Sequence, residues 1–180
     1  MKDENYFKKY IATIPNFPTE GVMFRDVIPT LENNIVFKDC IDSLAELAEK
    51  YDFSKIICAD ARGFIFGSAL AYKLNKGIVL ARKPGKLPNP GLEASYTLEY
   101  GKNSLLISKG SLLENEKILV VDDLLATGGS AAALIRLVKM SGATPVAAIF
   151  YVELPDLKGR DGIKKADDIP VHSLVKFEGE

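Results

Sequence analysis

The sequence predicts an α/β fold built on a mostly parallel central sheet flanked by helices. Short apolar segments, among them Lys55–Ala59 and Gly77–Ala81, alternate with helical patterns of roughly 10–15 residues, an order typical of parallel sheets. A nearly unbroken apolar run at 144–152 is typical of a strand that is buried on both faces. A further strand is predicted at 117–121, where apolar residues follow a lysine.

The remaining elements follow from helical and alternating patterns. The predicted helices span 3–14, 37–51, 64–74 and about 130–140. Residues 95–100 and 104–108 are interpreted as the two arms of a hairpin that turns at 101–103. Residues 159–170 are interpreted as a surface segment.

The composition fits one domain that spans residues 1–180. Hydrophobic residues make up 47% and charged residues 26% of the chain, which argues against disorder. The formal net charge of -1 favours neither a nucleic-acid partner nor a membrane surface. Cys40 and Cys58 lie in apolar settings, so we expect buried thiols rather than a disulfide. Without a signal peptide or a run of roughly 18 apolar residues, a cytoplasmic protein is expected.

Three segments directly follow predicted strands. They are DARG at 60–63, the segment that begins at Arg82, and DDLLATGGS at 122–130. In open α/β sheets ligands bind beyond the carboxyl ends of the strands, so we expect these segments to form the site. Residues 82–102 are rich in proline and glycine, and a long irregular loop in a compact domain is usually functional or disordered.

The segment TGGS has the chemistry of a phosphate-binding loop. Gly128 and Gly129 permit backbone conformations closed to other residues, while Thr127 and Ser130 supply hydroxyls. The helix predicted to begin near Ser130 directs its free amides and positive dipole end at the loop. The chain has neither GxxxxGK(S/T) nor GxGxxG after a strand, which argues against an NTPase or dinucleotide fold.

Two carboxylates, Asp122 and Asp123, precede this loop. They would repel a bare phosphate, but they suit a ligand that presents hydroxyls close to its phosphate. A ribose 5-phosphate is such a ligand, since its 2′ and 3′ hydroxyls can donate hydrogen bonds to the carboxylates. An isolated TGG could equally be a flexible turn. The complete arrangement of strand, acidic pair, TGGS and helix favours a ribose 5-phosphate site.

The string VVDDLLATGGS at 120–130 resembles the phosphoribosyl diphosphate motif of the type I phosphoribosyltransferases. Four further strings resemble the members of this family that use adenine, in the expected order. They are FRDV at 24–27, ARGFIFG at 61–67, RKPGKLP at 82–88 and ASYTLEYGK at 94–102. The resemblance implies the type I phosphoribosyltransferase fold, with a flexible loop and hairpin at about 82–109 and a small base-binding hood at about 1–34.

The resemblance also implies a reaction, in which adenine and 5-phosphoribosyl 1-diphosphate give AMP and diphosphate in purine salvage. Mg²⁺ is the implied cofactor, held through the diphosphate with Asp122 as the candidate protein contact, and a homodimer is the implied assembly. Residues expected to bind phosphoribosyl diphosphate or AMP are Asp122, Asp123, Ala126, Thr127, Gly128, Gly129, Ser130, Lys86 and Tyr100.

Three residues are expected to act in the reaction, namely Arg62, Arg82 and Glu99. Arg82, Lys83 and Lys86 place cations close together, and cations stabilise the charge of a leaving diphosphate. The resemblance implies that the loop closes, that Arg82 reaches the diphosphate, and that the backbone at 60–63 contacts it after a strained peptide bond. It implies that Glu99 manages the adenine proton near N7. From the residues by themselves, Glu99 could equally be an exposed strand residue.

The adenine site is assigned to Met23, Phe24, Arg25 and Leu124. Phe24 could stack on a purine face. The resemblance implies that backbone groups around Met23 and Arg25 read the adenine edge and that Leu124 packs on the opposite face. Core packing of Phe24 and an ion pair between Arg25 and Asp26 are the alternatives.

Two other functions stay open at this point. The first is the same chemistry with a 6-oxopurine or orotate, against which the FRDV string argues because an oxo group needs different donors. The second is a regulator that senses phosphoribosyl diphosphate. A DNA-binding regulator would need a helix-turn-helix module, for which the residues before Phe24 are too few. An RNA-binding regulator should show a basic face, which the net charge does not support.

Overall fold

The computed structural model describes residues 2–98 and 101–179. Its strands are β1 (Ala12–Pro15), β2 (Met23–Asp26), β3 (Lys55–Ala59), β4 (Gly77–Ala81), β5 (Pro90–Leu98), β6 (Gly101–Ser108), β7 (Lys117–Leu125), β8 (Thr144–Glu153) and β9 (Val171–Lys176). Its helices are α1 (Glu4–Lys8), α2 (Ile28–Glu32), α3 (Asn34–Ala48), α4 (Arg62–Leu74), α5 (Gly129–Met140) and α6 (Gly159–Ala166), with a 3-10 turn at Pro155–Leu157.

The predicted α/β class is confirmed. The central sheet has five strands in the order β4-β3-β7-β8-β9, and all four neighbouring pairs are parallel. Two antiparallel hairpins stand apart from it, β1-β2 near the N-terminus and β5-β6 beside β4. They lie within the segments, about 1–34 and about 82–109, that the family resemblance assigned to the hood and to the loop and hairpin.

The central strands are buried on both faces, as their apolar runs indicated. Ile56 and Leu119 pack into a core formed with α1, α3 and α4. Their chain neighbours Ile57 and Ile118 point to the opposite face and pack with α5 and the β5-β6 hairpin. Since successive residues of a strand face opposite sides of a sheet, both layers are needed to cover these strands.

The parallel arrangement brings the ends of β3, β4 and β7 to one edge of the sheet. Ala59 and Ala81, the last residues of β3 and β4, are paired, and the Asp60 amide donates to the Ala81 carbonyl at 3.0 Å. β7 lies on the other side of β3. The segments that follow these strands, which were predicted to form the site, therefore meet.

The predicted first helix at 3–14 is too long. Asp3 caps its start by accepting from the Tyr6 amide at 2.8 Å, but the helix ends at Lys8. Thr13 and Ile14 instead lie in β1, where they pair with Arg25 and Phe24 of β2. β-branched residues favour strands, and here a partner strand was available.

The predicted hairpin turn at 101–103 is wrong. Gly101 pairs with Leu98 and Asn103 pairs with Tyr96, so these residues belong to β6. The first arm is also longer than predicted, because β5 begins at Pro90, and the irregular segment after β4 is correspondingly shorter. The pattern of polar residues at 101–103 resembled a turn, but pairing with β5 decided the conformation.

The predicted helix at 37–51 also shifts. The Asn33 side chain accepts from the amides of Ile35 and Val36, which starts α3 at Asn34. Residues 159–170, interpreted as a surface segment, contain α6, in which Gly159 and Ile163 are buried. No helix within the described residues is long and apolar enough to cross a membrane.

Candidate active site

A cavity of about 450 Å³ opens at the carboxyl edge of the sheet, beyond β3 and β7. Nine of the predicted site residues line it, namely Arg62, Asp122, Asp123, Leu124, Ala126, Thr127, Gly128, Gly129 and Ser130. Asp60, Ala61 and Lys83, from the other two segments that were expected to form the site, also line it. Ala59 and Tyr96 line it as well and were not predicted as part of the site. The cavity therefore joins all three of the predicted segments.

The loop at 126–130 turns from β7 into α5. Gly128 has a φ of 80°, a left-handed conformation that favours glycine, and α5 begins at Gly129. The first amides of a helix lack partners within it, so those of α5 are available at the cavity. With the hydroxyls of Thr127 and Ser130 they form a concave set of hydrogen-bond donors suited to a phosphate.

The acidic pair lies within β7 rather than after it, because the pairing of β7 with β8 extends to Leu125. Both carboxylates are largely buried. Asp122 accepts a hydrogen bond from the Asp123 amide at 3.0 Å. Burial, and then the neighbouring Asp123 charge, raise the pKa of Asp122 well above its usual value.

Arg62 stands at the start of α4, directly after a cis peptide bond between Asp60 and Ala61. Its Nε donates to an Asp123 carboxylate oxygen. Burial by itself would lower the pKa of Arg62, but the charge and hydrogen bond of Asp123 outweigh it and raise the pKa. Arg62 is therefore a fixed cation beside the acidic pair.

The three cations after β4 are divided between two pockets. Lys83 lines the principal cavity. Arg82 and Lys86 line a neighbouring pocket of about 310 Å³. The Arg82 guanidinium donates to Asp60 at 3.3 Å and to the Lys86 carbonyl at 3.3 Å. In this arrangement Lys83 is the cation of the loop that faces the cavity.

Tyr96 enters the cavity from the β5-β6 hairpin. Burial, and then the charge of Asp122, raise the pKa of Tyr96 above its usual value. The hairpin is tied to α5 by Arg136, whose guanidinium donates to the Ser95 carbonyl at 2.8 Å. The sequence assigned Tyr96 only to a hairpin arm, and its place at the cavity follows from the packing of that hairpin on α5.

The predicted adenine residues divide between two neighbouring pockets. Phe24 lines an apolar pocket of about 290 Å³ and meets Phe17 edge to face at 5.1 Å. The Arg25 side chain turns away, donating to the Thr13 hydroxyl at 2.5 Å and stacking over Phe177. Met23, also on β2, lines neither pocket, while Leu124 lines the principal cavity.

Arg62 lines both the principal cavity and the apolar pocket, so the two adjoin each other. Its guanidinium carbon lies 5.8 Å from the centre of the Phe24 ring. The remaining predicted residues, Glu99 and Tyr100, lie outside the described residues. Among the described residues, no group of three or more acidic, histidine or cysteine side chains could hold a metal.

The comparisons with known proteins agree on one family. A family model described as the phosphoribosyl transferase domain matches residues 30–175. The adenine phosphoribosyltransferase of Fervidobacterium nodosum is 48% identical over 170 residues, which cover 94% of this chain and 98% of that protein.

Solved structures give the same result. The crystal structure of adenine phosphoribosyltransferase from Thermoanaerobacter pseudethanolicus has a TM-score of 0.91 at 44% identity, covering 96% of this chain and 99% of that one. The enzyme from Saccharomyces cerevisiae, complexed with an imino-altritol bisphosphate and adenine, has a TM-score of 0.86 at 36% identity. The match covers 95% of this chain and 97% of that one.

The chain therefore belongs to the phosphoribosyltransferase family, and the relatives that it matches over nearly its whole length are adenine phosphoribosyltransferases. The resemblance drawn from five sequence strings is confirmed.

Proposed function

We infer that the protein transfers the phosphoribosyl group of 5-phosphoribosyl 1-diphosphate to adenine, forming AMP and diphosphate in purine salvage. This inference rests mainly on one observation. Asp122, Asp123 and the loop at 127–130 line the same cavity at the end of β7. An apolar pocket adjoins that cavity and is large enough for a flat base. Relatives that match over nearly the full length carry the same activity in their names.

The loop at 127–130 is assigned to the 5-phosphate. The amides at the start of α5 and the Thr127 and Ser130 hydroxyls donate to phosphate oxygens. Ser130 supplies one of the hydroxyls that this interaction needs.

Asp123 is assigned to the ribose hydroxyls, with Asp122 beside it. Asp123 is paired with Arg62, so the ribose competes with that ion pair for the carboxylate. The Arg62 side chain is 43% exposed, so water can solvate it when it leaves the pair, and the ribose hydroxyls replace its hydrogen bond to the buried Asp123 carboxylate. Once displaced, Arg62 is free to interact with the diphosphate.

The diphosphate is assigned to Arg62 and Lys83, with Arg82 and Lys86 joining them when the loop closes. These residues oppose its negative charge as it leaves. Mg²⁺ carried by the diphosphate would neutralise part of that charge and keep several of its waters, as this ion usually does. The donor set fits such a shared ion, because the cavity offers the Asp122 and Asp123 carboxylates but no complete protein cage among the described residues.

Adenine is assigned to the space between Phe24 and Leu124. Arg62 lines both the apolar pocket, which Phe24 also lines, and the principal cavity, which Leu124 also lines. Backbone groups of Met23 and Arg25 on β2 are proposed to read the edge of the base. Glu99 is proposed to take part in the proton transfer near N7, and Tyr100 to contact the nucleotide.

The reaction exchanges one bond for another at the anomeric carbon. The bond from C1′ to the diphosphate oxygen breaks, the bond from C1′ to adenine N9 forms, and the N9 proton is lost. Sugar transfers of this kind pass through states with oxocarbenium character. The protein's contribution is to hold both partners in line and to exclude water, which would otherwise hydrolyse the sugar.

A homodimer is proposed, with one apolar face as the candidate surface. Tyr72 on α4 is 91% exposed, and Ile65 on the same helix and Leu80 on the edge strand β4 are also exposed. Exposed apolar clusters of this kind commonly mark protein interfaces. The cytoplasm is the proposed compartment, and the buried free thiols of Cys40 and Cys58 suit its reducing conditions.

The assignment is tested by incubating the purified protein with adenine, phosphoribosyl diphosphate and Mg²⁺. We expect AMP and diphosphate in equal amounts. Formation of ribose 5-phosphate and diphosphate without AMP would instead indicate a hydrolase and would contradict the transfer.

A further inference from the structure

A short polar helix lies behind the phosphate loop. α6 has eight residues, of which only Gly159 and Ile163 are buried. A Cβ on Gly162 would lie 2.5 Å from the Thr127 carbonyl oxygen, and a Cβ on Gly159 would overlap the Ala126 carbonyl oxygen. The helix and the loop therefore pack backbone against backbone.

The same contact limits which residue the loop can have at position 128. A Cβ on Gly128 would overlap the Gly159 carbonyl oxygen. Three glycines thus allow α6 and the loop to approach more closely than side chains would permit. Any displacement of α6 would remove the support behind Thr127 and Gly128.

An ion pair holds α6 in this position. The Arg160 guanidinium donates two hydrogen bonds to Glu153, from Nε at 2.6 Å and from Nη2 at 2.8 Å. It also donates to the Val171 carbonyl at 2.9 Å. The Ser173 hydroxyl donates to the same carboxylate at 2.5 Å. These contacts join α6 to the ends of β8 and β9.

The pair is a strong anchor because Glu153 is buried, with only 3% of its surface exposed. Burial would raise the pKa of Glu153, but the hydrogen bonds from Arg160 and Ser173 outweigh it, and the pKa is lowered. The carboxylate is therefore charged at neutral pH. Removing one partner of such a pair leaves the other charge buried without compensation.

We propose that Glu153 and Arg160 are positioning residues, which act through α6 to hold the loop at 127–130 in the conformation that binds the 5-phosphate. Neither residue lines the cavity. The inference rests on the assignment of this loop to the 5-phosphate. Loosening α6 weakens binding of the phosphorylated sugar, while the adenine pocket, which α6 does not line, is unaffected.

The test compares three variants with a matched control. Arg160→Met removes the pair, Arg160→Lys keeps the charge but loses the forked geometry, and Gly162→Ala presses on the loop with the pair intact. Lys73→Met is the control, since Lys73 makes a more exposed ion pair with Asp42 far from the cavity. The readouts are KM for each substrate, kcat, and calorimetric binding of ribose 5-phosphate.

We expect Arg160→Met and Gly162→Ala to raise KM for phosphoribosyl diphosphate by about tenfold or more, since small displacements at a binding site are costly. Ribose 5-phosphate binding should weaken in parallel. KM for adenine should stay within about twofold, Arg160→Lys should be intermediate, and Lys73→Met should match the wild type.

The inference is overturned if Gly162→Ala leaves both KM for phosphoribosyl diphosphate and ribose 5-phosphate binding unchanged, even where Arg160→Met fails to fold. It is also overturned if the variants lower kcat while both KM values stay constant, since that indicates loss of folded enzyme only. If the wild type binds ribose 5-phosphate but forms no AMP, the proposed reaction is refuted. The effect of the variants on ribose 5-phosphate binding would still test whether Glu153 and Arg160 position the loop.

Discussion

Gly63 lies directly against the carboxylate of Asp122, so that a Cβ on Gly63 would overlap Oδ1 and lie 3.2 Å from the carboxyl carbon. This contact joins the first turn of α4 to the end of β7. It presses the buried carboxylate into a fixed position beside Asp123 and the Arg62 guanidinium.

Gly63→Ala should therefore disturb the acidic pair. The Asp122 side chain is buried and accepts a hydrogen bond from the Asp123 amide, so it has little room to give way, and we expect a loss of about 1–3 kcal/mol in the free energy of unfolding. kcat/KM for phosphoribosyl diphosphate should also fall. Urea unfolding and steady-state kinetics measure the two effects.

Gly77→Ala is the matched control, because its Cβ would meet only the flexible Lys55 side chain, at 3.0 Å from Cγ. Equal stability and activity for Gly63→Ala and Gly77→Ala would show that the contact with Asp122 leaves room for a side chain at position 63.

The raised pKa of Asp122 leads to a prediction about how the free energy of unfolding depends on pH. Burial and the charge of Asp123 raise its pKa, so the folded state binds the proton more tightly than the unfolded chain does. The resulting stability is fully present below the unfolded pKa of about 4 and is lost as pH rises through the folded pKa. Asp122→Asn should remove this loss, so the variant should be more stable than the wild type in neutral and alkaline solution and nearly equal to it in acid.

Denaturant unfolding measured across this pH range tests the prediction. Asp52→Asn serves as the control, since Asp52 is an exposed carboxylate whose pKa is lowered by its hydrogen bond with Lys117. It should show no gain in stability at high pH. Parallel stability curves for the wild type and Asp122→Asn would rule out the raised pKa of Asp122.

Asp123→Ala should weaken phosphoribosyl diphosphate binding severely while the fold survives. A hydrogen bond to a charged group contributes about 1.5–3 kcal/mol, so loss of the ribose contacts should weaken binding by about 10–100-fold or more. The fold should survive because the partner, Arg62, is half exposed and remains hydrated. Calorimetric titration measures the affinity, and circular dichroism checks the fold. Unchanged affinity would mean that the acidic pair does not hold the ribose.

Lys83→Ala should raise KM for phosphoribosyl diphosphate, because Lys83 is the cation of the loop that faces the cavity. We expect an effect of about tenfold at low salt that shrinks as salt screens the charge. Lys109→Ala is the control, since Lys109 is an exposed lysine that does not line this cavity. If both variants behave alike across the salt series, Lys83 has no specific role.

Much of the fold was predictable because the central strands are nearly all apolar. The predicted bounds of Lys55–Ala59 and Gly77–Ala81 match the structure residue for residue. The first helix and the hairpin turn were mispredicted because each depended on pairing with another strand, β2 in one case and β5 in the other. Pairing partners of that kind leave little trace in local periodicity.

The site was predictable where its chemistry is concentrated in one string, as at Asp122, Asp123 and the loop at 127–130. Tyr96 could not be assigned in the same way, since its place at the cavity depends on how the hairpin packs on α5. Gly159 and Gly162 were missed for a related reason. Their importance comes from backbone packing against a loop that lies more than thirty residues earlier in the chain.

The choice of base tests the central claim most directly. The protein should be incubated with phosphoribosyl diphosphate, Mg²⁺ and, in separate reactions, adenine, hypoxanthine, guanine, xanthine or orotate, and the nucleotides separated by chromatography. We expect AMP from adenine and little or no nucleotide from the other four bases. IMP without AMP would contradict the adenine assignment, and no nucleotide from any base would contradict the enzymatic function itself.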